Sequence, residues 1–226
     1  MKRRNFVKNT ALGASGLGIV SGFKVSAKDS TAQVDKPFNL MYAPHNGMFR
    51  HHAGDDFVDQ IKFMADQGFR AIEDNGMMKR PVEEQDRIGK ALSDLNMQMG
   101  VFVIDKGGNG ANTLAAGKKE HEDIFLDGCR RAVEVAKRVN ATWMTVVPGN
   151  FERHLPLDIQ TANVIETLKK ACDIFEPHGL VMVLEPLSDT PDLFLRYSPQ
   201  AYLICKAVDS PACKILFGSA GRAADL

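Results

Sequence analysis

The sequence offers little that would commit it to a nucleic acid, a membrane or a zinc finger. Its charges cancel, 28 Lys and Arg against 28 Asp and Glu, so no long-range field draws it to a polyanion. Cysteine is scarce. Cys129, Cys172, Cys205 and Cys213 show neither C-x-x-C nor zinc-knuckle spacing, which removes zinc ribbons and thioredoxin-type motifs from consideration. The first three fall in expected helices and read as small core residues; a Cys205–Cys213 bridge stays open, since spacing alone does not establish it. No G-x-G-x-x-G or Walker-type loop follows any apolar run. Gly107-Gly108-Asn109-Gly110 reads as a flexible loop and not as a phosphate cradle. The apolar segment from Ala11 to Gly22 is too short and too rich in glycine for a stable membrane span.

What is present begins with a leader. Lys2-Arg3-Arg4-Asn5-Phe6-Val7-Lys8 is a twin-arginine pattern, followed by the apolar Ala11–Gly22 segment and by Val25-Ser26-Ala27, a small-residue cleavage pattern. Residues 1–27 are therefore expected to be a signal peptide of the twin-arginine type, delivering the protein to the periplasm. A polar linker, 28–36, leads into one domain over 37–217.

Within that domain, strand-like and helix-like segments alternate. Strands are expected near 38–42, 69–73, 98–104, 143–147, 181–185 and 214–217. Between them lie a helix opened by Asp55-Asp56 and closed by Gly68, one begun by Pro81 with Ile88, Leu92 and Leu95 inward, a long one from about His121 to Val139, one over 158–175, and one capped by Ser198-Pro199. Such alternation argues for a parallel sheet with crossover helices. An open doubly wound sheet and a (β/α)8 barrel share it.

Val181-Met182-Val183-Leu184 is an uninterrupted apolar run suited to a strand buried on both faces, and it ends on Glu185-Pro186. A buried parallel strand delivers its last side chain to the rim where ligands are held, which makes Glu185 the foremost candidate residue. His45 follows the first expected strand, where it either contacts a substrate hydroxyl or caps neighbouring backbone. Glu73 ends the second and either binds a hydroxyl or joins Asp74 in an acidic turn. Glu152-Arg153-His154 follow the fourth strand toward the same rim. Arg196 either meets a substrate carboxylate or pairs with Asp192. His51-His52 read as loop residues. Met41, Met48, Met97, Met99, Met144 and Met182 read as core filler.

The segments Asn39-Leu40-Met41-Tyr42-Ala43-Pro44-His45, Gly68-Phe69-Arg70-Ala71-Ile72-Glu73-Asp74, Thr145-Val146-Val147-Pro148-Gly149 and Val183-Leu184-Glu185-Pro186, in that order, resemble the xylose-isomerase-like TIM-barrel superfamily, and most closely its hydroxypyruvate-isomerase-like branch. The resemblance runs from about Pro37 to Phe217 and implies a (β/α)8 barrel. It also implies isomerase or epimerase chemistry on a small sugar or hydroxy-carbonyl compound. A divalent metal (Mn, Mg or Zn) is held by carboxylates and an imidazole or amide at the ends of strands five to eight. Glu185 matches the strand-five Glu, which is both metal ligand and proton-transfer base, while a second carboxylate on strand eight returns the proton. His45 and Glu73 remain candidate substrate-binding residues on their own position at the rim.

The resemblance also expects an Asp and then a His after Lys214-Ile215-Leu216-Phe217, where residues 218–226 have neither in that arrangement. The barrel is thus expected to be incomplete, with about six of its eight strand–helix units, and net isomerisation by this chain alone is not expected. Its open edges lead us to expect a homo-oligomer or poor cooperativity. Six His and no basic stripe weigh against the related apurinic-endonuclease branch, which uses several zinc ions. A truncated, non-catalytic sugar-binding or misfolded product is the other alternative.

Overall fold

In the computed structural model the described residues are 37–217; the expected leader, the 28–36 linker and the 218–226 tail lie outside them. The elements run α1 (Arg50–Ala53), α2 (Phe57–Asp66), β1 (Ala71–Ile72), α3 (Val82–Asp94), β2 (Gln98–Met99), β3 (Val101–Val103), α4 (Lys119–Val139), β4 (Trp143–Val146), α5 (Leu157–Phe175), β5 (Val181–Leu184), α6 (Ser198–Val208) and β6 (Cys213–Ile215). All named strand pairs are parallel, in the orders β1-β2 and β3-β4-β5-β6. Each of α2 to α6 packs on the next in sequence. Parallel strands in sequential order, screened by sequentially packed helices, form the wall of a (β/α) barrel, and six strands of it are present among the described residues.

The register follows from which side chains must be buried. Trp143 pairs with Val181, Met144 with Met182, Thr145 with Val183 and Val146 with Leu184. Met144, Val146, Met182 and Leu184 are essentially inaccessible, and with Phe102, Phe125, Leu168 and Phe175 they make the continuous apolar centre. Two helical glycines permit the close approach of backbones. A Cβ on Gly89 would lie 2.0 Å from the Arg138 carbonyl oxygen, and one on Gly128 would lie 2.6 Å from that of Asp105.

Several expected details differ. The 38–42 segment forms no strand: Leu40, Met41 and Tyr42 are exposed, and the chain touches its neighbour through Phe38 N–H on the Gly68 carbonyl and a bridge at His45–Glu73. With these side chains exposed, burial gives the segment no reason to hold an extended ladder. The 98–104 strand is divided at Gly100 into β2, paired with β1, and β3, paired with β4; a Cβ on Gly100 would come within 2.9 Å of Glu73 Cγ. Met41 and Met48 are surface residues, whereas Met97, Met99, Met144 and Met182 are core. Leu95 is exposed at the end of α3, and Phe217 is 63% exposed beyond the edge strand β6. Ser198 is the first residue of α6 and caps nothing with its side chain, the cap position falling to Tyr197. His51 and His52 lie on the single turn of α1, and the His52 ring stacks on Phe63.

Glutamines hold the segments that lead into the helices. Gln60 of α2 accepts from Gly47 N–H and donates to the Gly54 carbonyl. Gln85 of α3 donates to the carbonyls of Met77 and Arg80 and accepts from Arg138. Gln160 of α5 accepts from Glu152 N–H and donates to the carbonyls of Glu152 and Leu155. These three are buried. Gln200 of α6, less buried, clasps Arg196 N–H and the Phe194 carbonyl in the same way.

A buried backbone group left without a partner costs about 1–3 kcal/mol. Replacement of Gln160 by leucine, similar in size but unable to hydrogen bond, is therefore expected to destabilise the protein by about 2–4 kcal/mol in urea titration. A loss within about 0.5 kcal/mol would show that water replaces the amide at no cost.

Candidate active site

Glu185 follows the last residue of β5, with its N–H on the Val146 carbonyl at 3.3 Å, so the β4–β5 ladder continues one step to place this side chain at the rim. Its carboxyl is half-buried. No hydrogen bond or ion pair holds that carboxyl among the described residues. Burial, then the charge of Glu73 and then that of Asp189, push its pKa above the ordinary carboxylate value, with His45 opposing. Glu73 is likewise raised by burial, again opposed by His45.

The sequence candidates come together here. His45 Nε2 lies 3.1 Å from Glu73 Oε2, and the two backbones are tied by Glu73 N–H on the Pro44 carbonyl and Asn46 N–H on the Glu73 carbonyl. Glu73 follows the last residue of β1 and Glu185 the last of β5, so parallel strands deliver both, with His45, to the C-terminal rim. Asp74 does not belong with them. It is buried and bonds Arg80, which also binds Glu84, so adjacent acids face different tasks. Arg196 does not pair with Asp192. It donates to the Ser188 carbonyl and lies over the Tyr197 ring, while Asp192 faces Arg153 at 3.7 Å.

The rim loops after β3, β4 and β5 are joined by backbone. Asn150 N–H donates to the Gly110 carbonyl, Phe151 N–H to Asp192, and Phe194 N–H to Gly149, with Asn150 and Leu193 forming an antiparallel bridge. Gly149, at φ +110°, lies where a Cβ would strike Thr113 at 2.5 Å. Asn150, Phe151, Arg153, Pro191 and Asp192 line an open cleft of about 480 Å³ between these loops.

Sequence reasoning passed over Asp189, Gly100 and Lys106. Lys106 is buried, and its Nζ donates to the carbonyls of Gly108, Asn109 and Ala111. Burial brings its pKa down to about 8. The glycine-rich loop thus turns carbonyls inward onto a cation, the opposite polarity to a phosphate cradle, which presents N–H groups. The signal was a lysine followed directly by a glycine-rich turn.

Among the described residues, no three His, Cys, Asp or Glu side chains gather as a metal site. The donors at this rim do not make a complete set for the divalent ion that the family resemblance implies, since His45 and Glu73 engage each other and leave Glu185 as a single carboxylate. No chemical step is therefore derived through a metal here.

A partial parallel barrel with carboxylates converging at the C-terminal ends of its strands is a defined class of α/β scaffold. The family model described as xylose isomerase-like TIM barrel matches residues 61–219, and the chain belongs to that family. Among solved structures it is similar to AP endonuclease, family 2, from Brucella melitensis (22% identity, TM-score 0.63, 81% of this chain and 73% of that one). It is also similar to apo 3-keto-D-glucoside 4-epimerase from E. coli (17%, 0.60, 78% and 67%) and to the IolI protein with a bound zinc atom (14%, 0.60, 77% and 62%). The chain thus spans between 62% and 73% of the length of these three. No curated protein matches it.

The raised carboxyls set a pH dependence. A carboxyl whose folded pKa exceeds its unfolded one stabilises the fold when protonated, and that contribution is lost as pH rises through the folded value, here above 4.5. At neutral pH the ionised Glu185 therefore burdens the fold. Glu185→Gln is expected to raise Tm by roughly 2 °C near pH 7, a small shift because half of the carboxyl is solvated, and the gain should shrink toward about pH 5. A variant less stable than the parent at neutral pH would mean that the charge is compensated.

Proposed function

We propose that this chain carries a sugar or hydroxy-carbonyl isomerase or epimerase site in which Glu185 is the proton-abstracting base. The observation that supports the reading most is a half-buried, unengaged carboxyl with a raised pKa at the end of a buried barrel strand, beside a second carboxyl and an imidazole. Removing a proton next to a carbonyl needs a base whose pKa lies near the working pH, and burial with like charge raises a glutamate toward it. The His45–Glu73 pair offers one donor edge and one acceptor edge to vicinal hydroxyls, which suits a polyol chain. The substrate class is a small hydroxy-carbonyl compound of the hydroxypyruvate or ketose kind.

Net isomerisation needs a second group to return the proton, whereas exchange with solvent needs only the first. The test is deuterium incorporation from D2O into hydroxypyruvate or a ketose, with and without added Mn2+. Glu185→Gln is expected to reduce exchange by about 100- to 10,000-fold with unchanged circular dichroism, because the amide keeps the shape but accepts no proton. His45→Ala should act mainly through weaker substrate binding. Exchange that is indifferent to Glu185→Gln would remove this residue from the chemistry.

We further propose export to the periplasm through the twin-arginine leader, and self-association of the protein in solution. Replacing Arg3 and Arg4 together with lysine is expected to leave uncleaved precursor in the cytoplasm. Undiminished export of that double variant, measured by fractionation, would sink the assignment of the leader.

A further inference from the structure

At the opposite end of the barrel from Glu185, Cys205 near the C-terminus of α6 faces Cys213, the first residue of β6, with sulfurs 3.8 Å apart and both thiols free. A disulfide bond is about 2.05 Å long, so closure asks for an approach of about 1.8 Å, within the range of side-chain rotation between rotamers. The pair is unequal in access. Cys213 is buried, as are Cys129 and Cys172, whereas Cys205 is partly exposed. It is unequal in acidity as well. The hydrogen bond between the two sulfurs lowers the Cys205 thiol pKa, against the effect of burial and with help from Lys214, while Cys213 is raised by the same contact and by burial. The accessible thiol is thus also the better thiolate, and the buried one stands behind it.

We propose that Cys205 and Cys213 form an oxidation site that reacts with small-molecule disulfides such as oxidised glutathione and closes an intrachain bridge. The Cys205 thiolate attacks one sulfur of the external disulfide, forming a mixed disulfide and expelling one thiolate. Cys213 then gives up its proton and attacks Cys205 Sγ, expelling the second thiolate. The two protein thiols lose two protons and two electrons, and the external disulfide becomes two thiols. The bridge ties the end of α6 to the strand at the open side of the described sheet, where β6 is paired only with β5. It spans the turn through Asp209, whose φ of +52° brings the chain back sharply. The proposal is independent of the role given to Glu185.

The test uses the full chain, folded and incubated with oxidised glutathione, then alkylated and cut with trypsin without reductant. Cleavage after Arg196, Lys206 and Lys214 separates the two cysteines onto peptides 197–206 and 207–214. The expected product is these two peptides joined, lighter than their sum by two hydrogens, with Cys129 and Cys172 left as thiols. Glutathione persisting on Cys205 beside a free Cys213, a bridge to Cys129 or Cys172, or recovery of both peptides unlinked would each overturn it. A second readout is the melting temperature, expected to rise by about 5 °C on oxidation and not to rise in Cys213→Ser. A bridge that forms without any rise would show that it does not clamp β6.

Discussion

The rim of this barrel depends on amides buried beneath it. A parallel barrel must connect each strand to its helix by a loop whose backbone polar groups are half withdrawn from water, and each withdrawn group has to find a partner. Gln60, Gln85 and Gln160 meet that demand in one way: each stands on the fourth residue of its helix and turns its carboxamide back onto the entering segment. A carboxamide suits this because it accepts and donates at once without bringing a charge into the interior. With the loops so held, the side chains that strands deliver to the rim have a fixed frame.

Against that frame, the carboxylates are held in tension. Burial shifts both Glu185 and Glu73 toward the protonated form, the charges of Glu73 and Asp189 push Glu185 further, and the His45 imidazole opposes the shift of each. A fold selected for stability alone would place amides or apolar groups there, since an unengaged half-buried carboxyl lowers stability at neutral pH. Glu185 is such a group, and it stands beside the Glu73–His45 pair. Elsewhere acids are discharged on partners, as Asp74 and Glu84 are on Arg80.

Much of this was legible in the residues. Apolar runs of four to seven, alternating with capped helices, located five of six strands to within a few positions, because burial on both faces leaves a continuous apolar signature whatever the partner. Glu185 could be placed at a strand end for the same reason. The 38–42 segment failed because its apolar side chains stay exposed, and whether an apolar run finds a face to bury is not encoded locally. The division at Gly100 went unseen because its two halves pair with different strands, β1 and β4, which no local pattern encodes. Arg196 and Asp192 were near in sequence and compatible in charge, yet loop geometry sends them to Ser188 and Arg153. The glutamine clasps were visible as Pro81-x-x-x-Gln85 and Pro156-x-x-x-Gln160, a spacing that acquires meaning only once the helix start is known.

Lys106 shows how one burial can serve several loops. An ammonium has three protons to give, and here three carbonyls of one turn take them. A neutral amine would aim its lone pair at one of those oxygens, so the cage itself favours the charged form against the pull of burial. The caged turn supplies the Gly110 carbonyl to Asn150, whose neighbour Phe151 bonds Asp192, so the conformation of the loop after β5 is tied through two others to a lysine at the end of β3. Glu185 opens that last loop. Its position is therefore set from two directions: by the β4–β5 ladder beneath it, and by a chain of loop contacts that ends on a buried cation.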